Sequence, residues 1–404
     1  MSRAMAPLVL TASTAVSALG SGVAAHGQAL RDRAGGLRAN DYDQAAGGWI
    51  GRVAGVEQHR LPPALARFDC RNNRLADMAL RTDGFDAAVA EARAAYGAGR
   101  IAVVLGTSTS GVATGEDAYG RRDRTTGTLP DDFDFNHTQD LFSLGGYVRA
   151  ALGLAGPALV VSTACASSAR SFMDAAQLIR SGVCDAAVVG GADSLCRMTL
   201  HGFAALELIS PTPCRPGDAD RSGISIGEAA GFALLERADA PRRDGATGPR
   251  LALLGAGAAC DGYHMSSPHP QGAGAIGAMR QALASAGLQP ADIDWINLHG
   301  TGTRANDAME DMAVFDVFGP DVACSSTKGW TGHTLGACGI LEAVVAAQCM
   351  RHGFVAGSLG VEQADPTFRA RLATTNLHRP VRRAVSNSFG FGGINCSLVL
   401  GHVH

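Results

Sequence analysis

A mixed α/β fold with two packed halves is expected from three observations. Short apolar runs alternate with longer alanine-rich helical patterns along the whole chain. The 404 residues exceed the usual size of one compact unit. The 52 glycines are spread among these patterns and not gathered in low-complexity blocks, so they serve turns and close backbone approaches.

Taken in order, the N-terminal "MSRAMAPLVLTASTAVSALGSG" is interrupted by Pro7, Thr11, Ser13, Thr14 and Ser17. It reads as an opening strand, a loop and a helix start, not as a secretory leader. Strand-like runs follow at "IAVVLGTS" from Ile101, "ALVVST" from Ala158, "DAAVVGGAD" from Asp185 and "GFALLER" from Gly231. The charged, aromatic-containing stretch Glu116 to Asp140 reads as an insert, suited to a cap or a subunit contact. "ERADAPRRDGATGPR", Glu236 to Arg250, is a polar surface connection. A boundary near Gly248 therefore divides the chain into residues 1–248 and 249–404. The second part repeats the style with "RLALLGAGA" from Arg250, "DWINLHG" from Asp294 and "AVSNSFGFGGINCSLVLG" from Ala384.

Composition removes several classes. A net charge of −3 supplies no field for a polyanion, so no nucleic-acid partner is expected. The ten cysteines include no CxxC pair, which disfavours a disulfide framework or structural zinc module. No apolar run of about eighteen residues is present, so no membrane span is expected.

Three stretches carry candidate chemistry. In "VVSTACASSARSF", Cys165 follows a buried strand and precedes a helix on which Ala169, Phe172, Ala176 and Ile179 recur, with Gly182 as the stop. A thiol at that junction feels the positive helix end and free N–H groups, which favour thiolate. A buried packing cysteine and a metal ligand remain alternatives. In "DWINLHGTGTRANDAMED", His299 ends a strand and meets a Gly/Thr loop, before a helix capped near Asp307 with Met309, Met312 and Ala313 on its apolar side. A core histidine bonded to a carbonyl is the plain alternative. In "CSSTKGWTGHTLGACGILEAVVAAQCM", Lys328 precedes His333, which stands at the start of a helix bearing Glu342. The helix dipole would keep His333 neutral, able to donate from Nε2 to an oxyanion. Lys328 reads equally as a surface charge. One thiol and two loop-end histidines on separate strand–loop–helix units make acyl transfer through a thioester coherent. A zinc site on the same three side chains is the rival, weakened by the lack of paired ligands at short spacing.

"STACASS", "HGTGTRAND", "STKGWTGHTLGACG" and "SNSFGFGGINCSLVL", in that order, resemble the β-ketoacyl-acyl carrier protein synthases, the elongating ketosynthases of the thiolase superfamily. The resemblance spans nearly the whole chain. It implies a thiolase-like fold, two similar halves in five α-β-α-β-α layers, with the nucleophile in the first half and the histidines in the second. Cys165 would accept the acyl chain, while His299 and His333 support decarboxylation of a malonyl group. Lys328 would support His333 electrostatically and Glu342 organise the network. Thr301 and Thr303 would bind the phosphopantetheine arm. Phe391 would be the gate, its N–H joining that of Cys165 in the oxyanion hole. Phe203 would border the acyl tunnel, and Gly115 would stand where a bulkier residue elsewhere closes it.

No metal or organic cofactor is implied, since the prosthetic arm arrives on an acyl carrier protein. The resemblance also implies a cytoplasmic dimer, either homodimeric or formed with a ketosynthase-like chain-length-factor subunit. "GISIGEAAG" around Glu228 departs from the usual Gly-Glu-Gly run, Asn306 stands where Gly is common, and Ile394 replaces a frequent Thr. With "RSGISIGEAAGF" and "LHGTGTRANDAMED", these are similar to ketosynthases of aryl polyene pathways. Two related readings differ in chemistry. A coenzyme A-dependent thiolase would use a second cysteine, for which Cys396 is the candidate, although Cys396 reads as packing beneath the last strand. A chain-length-factor-like subunit would lack the nucleophile, which this chain has.

Overall fold

The computed structural model describes residues 4–241 and 249–403. The expected boundary at Gly248 lies outside the described residues. The strands that form the main sheet are β1 (Leu8–Ser17), β2 (Ile101–Gly106), β3 (Ala158–Val161), β4 (Ala186–Asp193), β5 (Ala229–Arg237), β6 (Arg250–Cys260), β7 (Trp295–Asn297), β8 (Ala323–Ser325), β9 (Arg371–Leu372), β10 (Arg383–Gly390) and β11 (Ile394–Val403). Their order is β9-β8-β7-β10-β11-β6-β1-β5-β4-β2-β3. The seam between β1 and β6 is short, with Leu8 opposite Leu253 and Val9 opposite Ala252. Outward from that seam both sides repeat one pattern. β1–β5–β4 and β6–β11–β10 are antiparallel. β4–β2–β3 and β10–β7–β8 are parallel.

The helices that matter here are α1 (Arg71–Leu80), α2 (Phe85–Tyr96), α3 (Phe142–Ala151), α4 (Ser167–Arg180), α5 (Ala273–Ala286), α6 (Arg304–Phe318), α7 (Lys328–Thr331) and α8 (Cys338–His352). Strands buried on both faces need helices on both faces, and three apolar clusters show how this is met. Val103, Val188 and Leu234 on one sheet half pack outward with Leu75, Val89 and Val148 of α1, α2 and α3. Ile296, Val385 and Val399 on the other half pack outward with Met279 of α5 and Val314 of α6. Between the halves, Phe172 of α4 and Val344 of α8 share one core with Val104, Val189, Leu398 and Leu400. The result is the α-β-α-β-α stack that the resemblance implies.

The opening strand runs to Ser17, further than the early break to a loop expected from sequence, and the next helix begins at Val23. The last apolar run is two antiparallel strands, β10 and β11, turned at Phe391–Gly393. Among the described residues no helix is long and apolar enough to cross a membrane.

Candidate active site

The nucleophile candidate sits in a tight turn between β3 and α4. Ala164, immediately before Cys165, has φ +48°, a left-handed conformation that costs a non-glycine residue about 1–3 kcal/mol. The turn holds because Ser167 Oγ accepts from the Thr163 N–H at 2.9 Å, and α4 is packed hard against β2. A Cβ on Gly106, at the end of β2, would lie 2.3 Å from the Ser168 nitrogen, so only glycine permits this approach.

His333 reaches the thiol from the other half, with Nε2 2.9 Å from Cys165 Sγ. Its backbone is pinned strand-fashion, donating to Ser225 O at 2.7 Å and accepting from the Gly227 N–H at 2.9 Å. Gly332 just before it has φ +74°, and a Cβ there would meet Ser225 O at 2.9 Å. The Leu335 N–H donates to His333 Nδ1 at 3.3 Å. A neutral ring that accepts at Nδ1 carries its proton on Nε2, so that proton points at the sulfur. His333 does not start a helix, as its spacing suggests: a 3₁₀ turn at Leu335–Ala337 intervenes and α8 begins at Cys338.

His299 follows β7, its ring meeting His333 edge to face with centroids 5.2 Å apart, and lying 5.9 Å from the Phe389 ring. Its loop is held through the main chain. Glu310 accepts from the N–H groups of His299 and Gly300 at 2.8 and 2.7 Å, and from Asn387 Nδ2 at 3.2 Å. Asp307 accepts from the N–H groups of Thr301 and Gly302 at 3.0 and 3.2 Å. Asp307 is thus a loop clamp, not the helix cap. The cap is Thr303, whose Oγ1 accepts from the Asn306 N–H.

Beneath the histidines, Lys328 Nζ donates to Glu342 Oε1 at 2.6 Å, with both side chains buried. The surface reading of Lys328 therefore falls away. Burial opposes the Lys328 ammonium, but the adjacent carboxylate outweighs that and holds it charged. Burial also drives both histidines well below the usual imidazole range, with the Lys328 charge adding to the effect. Both rings are neutral at pH 7. At the thiol the expected thiolate preference is overturned. Burial pushes Cys165 up to about 12, while Lys328 and the N–H groups of Phe391 and Cys165 oppose it and Asp193 reinforces it. Desolvation outweighs the helix end because the thiol is almost wholly buried at the floor of a narrow cavity.

Cys165, His299 and His333 line a cavity of about 460 Å³ whose wall includes Phe203, Thr301, Thr303, Phe389 and Phe391. Thr301 and Thr303 share a 2.9 Å hydroxyl contact, and the Phe203 and Phe391 rings lie 5.6 Å apart. Gly115 does not reach it. It lies on the helix Val112–Gly120, and the space a side chain would take is filled by Gln139 Oε1 at 2.0 Å. Cys396 is also remote from the cavity, packed in the central core with its sulfur 3.7 Å from Met173 Sδ.

Sequence reasoning passed over Glu310 and Asp193. Asp193, at the end of β4, accepts from the N–H groups of Ser108, Thr109 and Gly336 and from the hydroxyls of Thr107, Ser108 and Thr109. It thereby ties the loop after β2 to the turn that follows His333. An acid closing an otherwise apolar, fully buried strand was the available signal. The ligating atoms of Cys165, His299 and His333 lie within 4.8 Å of one another, close enough for a metal ion. The fit is poor, because a divalent cation there would face the buried Lys328 ammonium.

Residues 62–240 match the family described as beta-ketoacyl synthase, N-terminal domain, and residues 251–362 match beta-ketoacyl synthase, C-terminal domain. The chain is 36% identical over 338 residues to 3-oxoacyl-[acyl-carrier-protein] synthase 2 of Rhizobium meliloti (strain 1021), covering 80% of itself and 78% of that protein. It is 39% identical over 61% of its length to the chloroplastic 3-oxoacyl-[acyl-carrier-protein] synthase II of Arabidopsis thaliana, of which it spans about half, 48%. Among solved structures, it is similar to a chain of the ketosynthase (ApeO) in complex with its chain length factor (ApeC) from Xenorhabdus doucetiae. That match has a TM-score of 0.88 and 38% identity, over 98% of each chain.

Proposed function

This chain belongs to the β-ketoacyl synthase family, and from that membership we propose that it catalyses decarboxylative condensation of a malonyl thioester with an acyl chain held on Cys165. The observation that carries the reading is the 2.9 Å contact between Cys165 Sγ and a His333 whose proton is on Nε2, with His299 beside it.

In the first half-reaction the Cys165 sulfur attacks the thioester carbonyl of a carrier-borne acyl chain. The N–H groups of Cys165 and Phe391 receive the oxyanion, and the thiol proton leaves with the departing pantetheine thiol. In the second, the malonyl thioester oxygen takes hydrogen bonds from His299 and His333 as the bond to carboxylate breaks and CO₂ departs. The resulting enolate carbon attacks the acyl-enzyme carbonyl, the carbonyl–sulfur bond breaks, and the Cys165 thiolate takes a proton from solvent. Two neutral donors suit this task, since they meet negative charge that exists only during reaction. Lys328 and Glu342 hold the field around the histidines. Thr301 and Thr303 bind the arm, and Phe391 and Phe203 flank the route of the acyl chain. No metal or organic cofactor enters the scheme.

The substrates are carried by an acyl carrier protein, the protein works in the cytoplasm, and it functions as a dimer, with itself or with a chain-length-factor-like sibling. The 38% identity to a chain of the ApeO–ApeC complex supports a partner of that second kind, and the aryl polyene substrate rests on the stretches "RSGISIGEAAGF" and "LHGTGTRANDAMED". The test offers purified protein, alone and with candidate partner subunits, malonyl carrier protein together with carriers bearing saturated, unsaturated and aryl acyl chains. Release of CO₂ with a product two carbons longer is expected, fastest on the conjugated chains. Equal rates on all chains would contradict the polyene assignment, and CO₂-independent exchange with coenzyme A would contradict the condensation itself.

A further inference from the structure

The cavity has an exposed rim to which Leu206, Glu207, His264, Phe391 and Arg304 contribute, and the loop 299–304 climbs from its floor to that rim. His299 at its floor is 2% exposed and Thr301 7%, Thr303 is half-buried, and Arg304 at the next position is exposed while still lining the wall. Any molecule that places a thioester at Cys165 and passes Thr301 and Thr303 therefore leaves the cavity beside Arg304.

Among the described residues, most charges on this wall are committed; the exposed Glu207 is the carboxylate that is not, on the Phe203 side. Arg221 is 2.6 Å from Asp365 and 3.5 Å from Asp307. Asp261 accepts from the His269 and Gly274 N–H groups and from Asn395 Nδ2. His264 accepts at Nδ1 from the Ser266 and Ser267 N–H groups, which ties up its basic nitrogen. Glu207 lines the Phe203 side of the wall, in a left-handed turn at φ +58°. Among the described residues, Arg304 has no carboxylate partner, and it is the cation on this wall left free to meet a ligand. A guanidinium suits the two-oxygen geometry of a phosphate, which it grips through paired N–H donors.

We infer that Arg304 is the phosphate contact of this site, binding the phosphodiester at the outer end of a phosphopantetheine arm whose amide portion runs past Thr301 and Thr303. The inference rests on the carrier-arm reading above. It makes Arg304 a binding residue that sets the depth of the arm, so the thioester stops at the sulfur and does not overrun it.

The probes are two soluble thioesters that differ in one group, hexanoyl-pantetheine and hexanoyl-4′-phosphopantetheine. Acylation of the full chain is followed by intact-protein mass, and the ratio of the two rates is read, which cancels any general effect on loading. The unaltered protein is expected to favour the phosphorylated thioester by about fivefold, the scale of one partly exposed charge pair, and to lose that preference in high salt. Arg304→Ala should bring the ratio to near one, and Arg304→Lys should restore part of it. A ratio near one in the unaltered protein, or an undiminished ratio in Arg304→Ala, would overturn the assignment. Failure of both thioesters to acylate the unaltered protein would instead remove the carrier-arm reading, and the phosphate contact with it.

Discussion

The two histidine loops do related work and are held in opposite ways. His333 is fixed through its side chain as well as its backbone, since Nδ1 takes the Leu335 N–H and Nε2 faces the thiol. The hydrogen bonding that holds His299 is at its main chain, which donates to Glu310, and among the described residues its Nδ1 has no hydrogen-bond partner. The difference teaches that one ring has a preset tautomer and a preset target, whereas the other keeps its hydrogen-bonding capacity for a substrate. Each loop also rests on a different buried charge: a complete ion pair beneath His333, and a lone carboxylate satisfied by N–H groups behind His299.

The comparison can be broken most severely at the ion pair. Lys328→Ala leaves the Glu342 carboxylate buried and unpaired, a loss of about 3–5 kcal/mol that a denaturant melt would register. The double variant Lys328→Met with Glu342→Leu should recover most of that stability, because no charge is then stranded. Little or no recovery would mean that the pair does more than neutralise itself.

Next come the histidines themselves. Removing one oxyanion donor costs about 10²–10³-fold. His333→Ala should slow malonyl decarboxylation on that scale, and should slow acyl loading of Cys165 as well, because the Nε2–H that faces the sulfur stabilises negative charge there. His299→Ala should slow decarboxylation alike and spare loading, as measured by acyl-enzyme mass against CO₂ release. Equal loss of loading in both variants would erase the distinction between the loops.

A smaller effect belongs to Glu310, whose carboxyl burial raises to about 7 from an ordinary 4.5. The folded state then keeps a proton that the unfolded chain gives up, so this group's contribution to stability declines as pH rises from about 4.5 to 7. Glu310→Gln removes that contribution. Melting curves of the two proteins, subtracted to cancel the histidines, should converge or cross over that window; a pH-independent difference would contradict the shift.

The smallest shift in titration is expected at Asp193, although Asn there would also turn an amide N–H₂ toward the donors that the carboxylate now receives. Its charge adds to the burial that raises the thiol. Asp193→Asn should move the pH profile of Cys165 alkylation downward, and an upward move would contradict the electrostatic part of the account.

Much of this was legible before the fold was known. Apolar run length and helical spacing placed β2, β3, β4 and α4, and with them Cys165 at its junction. Motif order placed His299, Lys328 and His333. What escaped was tertiary. The buried face of α6 carries Asp307, Glu310 and Asp311; Asp307 reads as a helix cap, and Glu310 and Asp311 carry no local signal until the loop N–H groups they receive are seen. Asp193 reads as the polar end of a strand. The thiol's shift depends on how completely neighbours from both halves enclose it, which no local pattern records. That Gln139 packs beside Gly115 was likewise not legible, because a helix face is set by what packs on it.

The central claim is that Cys165 holds the growing chain as a thioester. Incubation with an acyl carrier protein substrate, followed by intact-protein mass, should show the unaltered chain heavier by one acyl group and Cys165→Ala unshifted, with some malonyl decarboxylation surviving in the variant. An acyl adduct on Cys165→Ala would contradict the claim outright.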